Sequence, residues 1–228
     1  MRKVLLTLSI ISLLIHCVNG QEENEQPRTE IKYNPFKTPV EDQDDIWEVK
    51  FGSGHLLPNN NSIQTNKFAF NVGIQYFYEI NFSPKKRFAL AIGLGYNFQQ
   101  LKTNGIFDNS PEYTFTASNN IPDLSNPRLN IHELNFPVEF RFKLKSELKF
   151  YFAYNFTVPI SSKMKYTQAD DERNEKNVAP IEVFQHGPSL RIGYKDFFLF
   201  TRYNVSSLFL TPEFEDVRVF SFGVSLGG

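Results

Sequence analysis

The sequence contains little of what disulfide crosslinking, metal coordination or helical membrane insertion requires. It has one cysteine, Cys17, and four histidines in 228 residues. Cysteine and histidine are the main zinc ligands, and no two of them stand at the spacing of a metal site. No run of about eighteen consecutive apolar residues occurs, which excludes membrane-spanning helices. The sequence therefore predicts no metal and no cofactor.

The N-terminal residues predict export from the cytoplasm. Arg2 and Lys3 precede an apolar stretch, and the small residues Val18 and Gly20 precede Gln21. Positive, apolar and small-residue segments in this order are typical of a cleaved signal peptide. The apolar stretch, about twelve residues, is too short for a helix of ~20 residues that spans a membrane. We therefore assign residues 1–20 to a signal peptide, and the mature chain then contains no cysteine.

Residues 21–45 are polar and acidic and contain three prolines. This composition predicts a flexible acidic tail in the periplasm. The tail is either a plain spacer or a second binding element. The formal net charge of the whole chain is −1, and no basic stripe marks a nucleic-acid-binding face. We therefore expect no nucleic-acid partner.

Aromatic residues are abundant: the chain has 24 Phe and 10 Tyr, although its mean hydropathy is −0.35. Most of them lie on one side of segments in which apolar and polar residues alternate, such as FAFNVGIQYFYEINF at 68–82. Alternation with period two predicts a β-strand with two unlike faces. Eight such segments follow one another, at about 46–54, 67–82, 87–103, 130–144, 147–160, 181–195, 197–210 and 217–227.

The lengths of the connections predict the topology. Short links at 83–86, 145–146 and 196 alternate with longer polar links at 55–66, 104–129, 161–180 and 211–216. Tight turns at one end and longer loops at the other are typical of outer-membrane barrels. The sequence therefore predicts an all-β fold over residues 46–228, an eight-stranded antiparallel up-and-down transmembrane β-barrel. We expect it in the cell outer membrane, in contact with outer-membrane lipid, with both termini in the periplasm.

A soluble periplasmic lipocalin-like barrel with a ligand in its core is the alternative, because it also has eight strands. The third segment distinguishes the two. Opposite its apolar side it carries Ala89, Ala91, Gly93 and Gly95. Small residues make a poor solvated face but fit the narrow lumen of a small membrane barrel. We therefore expect the aromatic faces to contact lipid.

The inward faces carry a few charges of both signs. Because charges in a narrow, dry lumen must pair to offset their desolvation, we predict a lumen charge network. Its members are Glu79, Glu139, Arg141, Arg191 and Arg202, with Lys143 on the same face. Ordinary surface charges are the alternative. Eight strands enclose a space that side chains just fill, so free diffusion is not expected, although a narrow pore stays an alternative.

Three local predictions complete the barrel. Aromatic residues beside the short turns form one girdle: Phe82, Phe88, Phe142, Phe150, Tyr194 and Phe197. The other end of the lipid band is marked by Phe70, Phe98, Phe136, Phe156 and Phe209. Pro137 and Pro188 lie within strands and remove ladder donors, which predicts local bulges.

The residues needed for nucleophilic catalysis are not arranged for it. Such catalysis needs a serine beside a histidine base and a carboxylate. The mature chain has His55, His132 and His186. His186 and Ser189 are three residues apart and thus lie on opposite faces of a strand. We therefore predict that the protein is not an enzyme.

Two stretches resemble a known family. LNFPVEFRFKLKSELKFYFAYNF (134–156) resembles the apolar-x-x-Pro-apolar, strand, tight turn, strand signature of the PorT-like outer-membrane β-barrels of Bacteroidota. FALAIGLGYNFQQL (88–101) is similar to their second hairpin. The resemblance implies an eight-stranded outer-membrane barrel. Through the founding member, it also implies a link to the type IX secretion apparatus, so an envelope or secretion-machinery protein is the expected partner.

The loop at 104–129 is the other candidate for contact with a partner. It carries Phe107, Tyr113 and Phe115 among polar residues. Exposed aromatic residues among polar ones suit recognition of a protein or a glycan. The same side chains could instead fold over the mouth of the barrel and close it.

Overall fold

The computed structural model describes residues 46–57, 63, 69–82, 85–107, 115–176, 181–210 and 217–227. The predicted signal peptide and acidic tail lie outside the described residues. The strands are β1 (Trp47–Leu57), β2 (Phe70–Asn81), β3 (Phe88–Lys102), β4 (Gly105–Phe107), β5 (Phe115–Ala117), β6 (Leu124–Lys143), β7 (Leu148–Gln168), β8 (Asp171–Lys176), β9 (Gln185–Tyr194), β10 (Phe197–Tyr203) and β11 (Arg218–Gly227). One turn of 3-10 helix occupies Ser118–Asn120. No helix in the described ranges is long and apolar enough to cross a membrane.

The strands close into a barrel. One nine-stranded sheet has the order β6-β3-β2-β1-β11-β10-β9-β7-β8, and β6 also pairs with β7. This pairing closes eight antiparallel strands into a ring, with β8 attached to β7 outside it. The first strand pairs with the last, Glu48 opposite Gly227. β4 and β5 form a separate hairpin. The predicted eight-stranded antiparallel up-and-down barrel is confirmed.

The two faces of the barrel are inverted relative to a protein that folds in water. On β2, the outward Ile74 is 57% exposed, whereas its inward neighbour Gln75 is 2% exposed. On β6, the outward Phe140 is 62% exposed, whereas the inward Glu139 and Arg141 are buried. A soluble lipocalin-like barrel would bury its apolar face, so that alternative is wrong. The apolar outer surface is the surface expected against lipid hydrocarbon.

Small residues keep the lumen narrow on the third strand. Ala91 is fully buried. A Cβ placed on Gly93 would lie 2.7 Å from Cγ of Pro137 and 2.8 Å from Cδ1 of Phe77. Any larger residue at this position would have to displace the ring of Phe77 or the pyrrolidine of Pro137. The prediction that this face suits a crowded lumen is confirmed.

The end with the long loops extends beyond the barrel. β6 has 20 residues and β7 has 21, whereas ~9–11 suffice to cross a membrane. Their upper parts and β8 form a projecting antiparallel sheet. An apolar cluster lies at this end, which we call the mouth cluster. Its buried members are Leu56, Ile63, Ala69, Leu101, Phe107, Leu129, Ile131, Met164, Tyr166, Leu208, Phe209, Val217 and Val219.

Phe209 was placed wrongly at the upper edge of the lipid band. It is 1% exposed, and its ring centroid lies 4.8 Å from that of Phe107. The alternation was extended to residue 210, but β10 ends at Tyr203. Beyond Tyr203, odd and even positions no longer correspond to the two faces of a strand, and the chain packs into the mouth cluster.

The aromatic residues at the short-turn end are as expected, because Phe82, Tyr194 and Phe197 are at least half exposed.

The predicted bulges at the two prolines are wrong. Pro137 pairs with Asn155, and Pro188 pairs with Tyr154, each within an unbroken register. A missing N–H therefore costs a ladder bond without shifting the chain. The irregularities lie elsewhere, between Ser125 and Arg128 and between His132 and Glu133.

A charge placed on the outer face tests its contact with lipid. We expect Leu94→Arg, on the outward face of β3, to lower the free energy of unfolding by about 2–4 kcal/mol, because arginine is costly near the bilayer midplane. The measurement is urea-induced unfolding in lipid vesicles, with the folded fraction read from the migration of unboiled samples. Ser125→Arg, at an exposed position near the far end of β6, is the control, with an expected effect within about 0.5 kcal/mol. Equal effects of the two changes would place the β3 face in water.

Candidate functional site

The lumen contains a continuous chain of ion pairs, which we call the lumen network. It joins three carboxylates and four cations from β1, β2, β6 and β9. Its members in order of contact are Lys50, Glu48, Arg191, Glu139, Arg141, Glu79 and Lys143. All seven side chains occupy inward-facing positions of their strands. Closure of the barrel brings β1 and β9 within reach of β6.

Glu139 is the centre of the lumen network. Its Oε1 accepts from Nε of Arg141 at 2.7 Å and from Nη2 of Arg191 at 2.7 Å. Nη1 of Arg141 donates to Oε2 of Glu79 at 2.7 Å, and Nη1 of Arg191 lies 2.9 Å from Oε1 of Glu48. Each carboxylate thus faces at least one guanidinium at hydrogen-bond distance. This pairing offsets part of the free-energy cost of burying the charges.

Aromatic rings fill the space around the two guanidinium groups. The centre of the Arg141 guanidinium lies 4.7 Å from the ring centroid of Phe77 and 5.0 Å from that of Tyr151. The Arg191 guanidinium lies 4.9 Å from Tyr151 and 5.0 Å from Phe198. All three rings are buried inside the barrel. Cation–π contacts of this kind stabilise a desolvated arginine and leave little free volume beside it.

Arg202 lies apart from the other four predicted charges. Its Nη1 is 3.5 Å from Oε1 of Glu133, and its Nη2 donates to Oγ1 of Thr157. Asn97 and Gln99 each donate to the same Glu133 oxygen at 3.2 Å. The structure therefore brings Glu79, Glu139, Arg141 and Arg191 into one cluster and gives Arg202 a separate partner.

Side chains pack closely in the lumen between the two charge clusters. The cavity that lies there, beside Lys50, Arg191 and Arg202, has a volume of about 10 Å³. One water molecule needs ~10–15 Å³. Above it, the mouth cluster covers the end with the long loops.

Two of the three predicted loop aromatics belong to the covering of the mouth. Phe107 is 1% exposed and packs edge-on against Phe115, with ring centroids 5.1 Å apart. Phe115 is half-buried against the mouth cluster. Tyr113 lies outside the described residues. The placement of Phe107 and Phe115 corresponds to the second sequence interpretation, in which these rings close the mouth.

The three histidines that the structure describes, His55, His132 and His186, do not form a catalytic group. Nδ1 of His132 lies 2.5 Å from the Tyr96 hydroxyl, and Nδ1 of His186 lies 2.6 Å from the Tyr154 hydroxyl. His55 stacks on Phe222 with a centroid distance of 5.5 Å. All three rings lie at the outer surface with aromatic residues. Within the described ranges, no group of three or more His, Cys, Asp and Glu side chains could hold a metal ion.

A basic cavity opens at the end with the short turns, and we call it the basic bowl. Its volume is about 760 Å³. Seven cationic side chains and two acidic ones line it together with Leu144. The cationic members are Lys85, Lys86, Arg87, Lys143, Lys145, Lys149 and Lys195, and the acidic members are Glu147 and Asp196. This excess of positive charge favours a partner with carboxylate groups.

Comparison with known families agrees with this architecture. Residues 46–212 match the model of the outer membrane protein beta-barrel domain. The chain belongs to this family. It is an outer-membrane β-barrel protein. No curated protein sequence matches the chain.

Three solved structures show a distant similarity to the chain. Ail, the attachment invasion locus protein of Yersinia pestis, solved with the heparin analogue sucrose octasulfate, is 11% identical, with a TM-score of 0.39 over 79% of this chain and 94% of that chain. Neisserial surface protein A is 14% identical, with a TM-score of 0.41 over 80% and 97%. A mutant of the Rh. blastica porin is 7% identical, with a TM-score of 0.22 over 80% and 98%. We draw no functional conclusion from similarities at this level.

Three lumen charges of this family member were missed by the sequence analysis. Glu48 and Lys50 alternate with the outward Trp47, Val49 and Phe51, so the same parity rule would have found them. Glu133 shares odd parity with Glu139 and Arg141 on β6. The signal, a charged residue at an inward-facing position of a predicted strand, was present in each case.

Removing the central carboxylate tests the lumen network. We expect Glu139→Gln to destabilise the barrel by about 3–5 kcal/mol, because it removes the carboxylate that Arg141 and Arg191 share and leaves one more positive charge of the buried network uncompensated. Urea-induced unfolding in lipid vesicles measures the change. Glu147→Gln is the control: Glu147 lies 3.7 Å from Lys195 at the surface, where an ion pair contributes at most about 1 kcal/mol. A Glu139→Gln variant as stable as this control would show that the network does not stabilise the fold.

The filled lumen also predicts the electrical behaviour of the barrel. We expect purified protein to give no steady conductance in planar lipid bilayers, because packed side chains occupy the described lumen. Insertion is verified by recovering folded, heat-modifiable protein from the same bilayers. A steady, reproducible conductance step would overturn this expectation and restore the narrow pore.

Proposed function

We propose that this protein is a non-enzymatic structural and interaction protein of the outer membrane, acting as an accessory of type IX-like protein secretion or of envelope assembly. One observation carries the proposal: the lumen is filled by the lumen network and the mouth cluster. When the lumen is filled, a partner can bind only at the two ends or on the outer face of the barrel. The resemblance of 134–156 to PorT-like barrels supports the secretion role.

The orientation belongs to the same proposal. The short turns, the start of β1 and the end of β11 lie at one end of the barrel. Outer-membrane barrels have their tight turns in the periplasm. We therefore place both chain termini and the basic bowl in the periplasm, and the mouth cluster at the cell exterior. The predicted signal peptide supports export to this location.

The basic bowl is the surface that best suits a periplasmic partner. Its three turns bring cations from separate hairpins to one cavity, including Lys86, Lys145 and Lys195. A cavity of about 760 Å³ accepts several side chains of a docking segment. Complementary charge increases the rate of encounter and selects among partners. The partner is an acidic segment of an envelope or secretion-machinery protein.

An enzymatic role has less support. Lipid-modifying barrels need a histidine base beside a nucleophile. Here His132 and His186 contact tyrosine hydroxyls on the outer face, and the only serine hydroxyl hydrogen-bonded to a histidine ring in the described ranges belongs to Ser53, beside His55. Without an orienting carboxylate at that pair, it lacks the third member of a triad.

Deletion of the gene tests the proposed role. We expect the deletion strain to retain secreted cargo in the periplasm or to assemble its outer membrane defectively. The readout is quantitative proteomics of the medium, the periplasm and the outer membrane. Complementation with Lys85→Glu/Lys86→Glu is expected to fail, because two charge reversals in the basic bowl repel an acidic partner.

The matched control for this experiment carries the same change of charge at the other end. Lys163→Glu/Lys165→Glu leaves the basic bowl intact and is expected to restore the release of secreted cargo, because these lysines lie at the opposite end of the barrel. Unchanged proteomes in the deletion strain would refute the secretion and assembly roles. Full complementation by the bowl variant would refute the bowl as the partner surface.

A further inference from the structure

Five cationic side chains lie on one outward face of the projecting sheet, which we call the outer basic patch. It consists of Lys102, Arg128, Lys163, Lys165 and Lys176. The register brings them together from four strands. Lys102 lies opposite Arg128, and Arg128 lies opposite Lys165. Two residues away along β7, Lys163 lies opposite Lys176.

The patch faces away from the protein. Along the same strands, the residues that alternate with the patch cations are buried in the mouth cluster, among them Leu129, Met164 and Tyr166. Because side chains alternate between faces along a strand, the cations point to the outside.

Like charges directly opposite one another destabilise a sheet. Among the described residues, one carboxylate pairs with the patch: Oε1 of Glu172 lies 3.5 Å from Nη2 of Arg128. The Glu172 side chain is 66% exposed, and a pair so exposed is screened by solvent. Every cation of the lumen network, in contrast, has a carboxylate partner. The excess charge of the patch thus remains for an anion outside the chain.

The patch lies just above the aromatic band of the outer face. On β6, the residues Arg128, Asn130 and His132 share one face and follow one another toward the membrane. His132 contacts Tyr96 and Phe98 of the aromatic band. Two strand residues span about 7 Å. Tyrosine side chains prefer the interface between membrane and water. The patch is therefore at the height of lipid headgroups rather than far out in solvent.

We propose that the outer basic patch binds the phosphate groups of anionic lipid headgroups in the surrounding leaflet. Lysine and arginine side chains at this height reach phosphate oxygens with charge-assisted hydrogen bonds, and their stems lie along the apolar surface below. Cations near an anionic membrane surface each add to the attraction. The site rests on the proposed orientation, which places this end of the barrel in the outer leaflet, but not on the proposed role in secretion, which uses the opposite end of the barrel.

The experiment uses the full-length barrel folded in detergent micelles and titrated with phosphorylated lipid A, with bound lipid counted by native mass spectrometry. We expect Lys102→Gln/Lys163→Gln/Lys165→Gln to reduce the apparent affinity at least about tenfold, since three cations are removed. The matched control is Lys85→Gln/Lys86→Gln/Lys145→Gln in the basic bowl, which is expected to bind as the natural protein does. Heat-modifiable migration verifies that each variant is folded.

Two further arms identify the ligand. Dephosphorylated lipid A is expected to bind weakly and equally to all three proteins. Inorganic phosphate at the same concentration is expected not to displace the lipid; displacement would identify free phosphate as the ligand and overturn the proposal. Lys165→Glu, a single reversal at the centre of the patch, reports independently if the triple variant folds poorly. Undiminished binding of phosphorylated lipid by the patch variants, or an equal loss in the bowl control, would also overturn it.

Discussion

Lipid hydrocarbon offers no hydrogen-bond partner to a backbone, and this constraint decides the rest of the structure. Every strand within the membrane must pair on both sides, so the sheet has to close. The closure is seen where β1 pairs with β11 and β6 pairs with β7. Eight strands then fix the diameter, and side chains have to fill the lumen. The inverted pattern, with Ile74 outside and Gln75 inside, follows from the same constraint.

A narrow closed lumen restricts which side chains fit inside it. Gly93 and Ala91 give room on β3 for the ring of Phe77, which in turn packs against the Arg141 guanidinium. Burial of that arginine is tolerated because Glu79 and Glu139 both face it at 2.7 Å. Replacing a buried ion pair by apolar residues is often neutral or stabilising in soluble proteins. Here the inward charges of β1, β2, β6 and β9 also disfavour a slip of these strands by one residue, because such a slip would turn the charges toward lipid.

Sequence parity predicted the barrel strands and most of the inward charges, because a period of two is a local property of the chain, and the alternation of short and long connections predicted the topology. It did not predict which charges meet. Arg202 shares inward parity with Arg191, yet it contacts Glu133, since the contacts depend on relative heights around the closed ring. Phe209 failed for a related reason, because parity loses its meaning once β10 ends at Tyr203. The packing of Phe107 over the mouth depends on contacts distant in sequence, and no local pattern reports them.

The pairing of positive charges differs between the lumen and the two ends of the barrel, and this difference indicates which surfaces bind partners. Inside, each lysine or arginine of the lumen network has an acidic partner, although pairing requires contacts between four different strands. At both ends, cations are gathered with few acids: Glu147 and Asp196 in the basic bowl, and Glu172 beside the outer basic patch. A chain that places carboxylates accurately where folding needs them has no folding reason to concentrate positive charge at its ends. These two surfaces are therefore better explained by anionic partners outside the barrel than by stability.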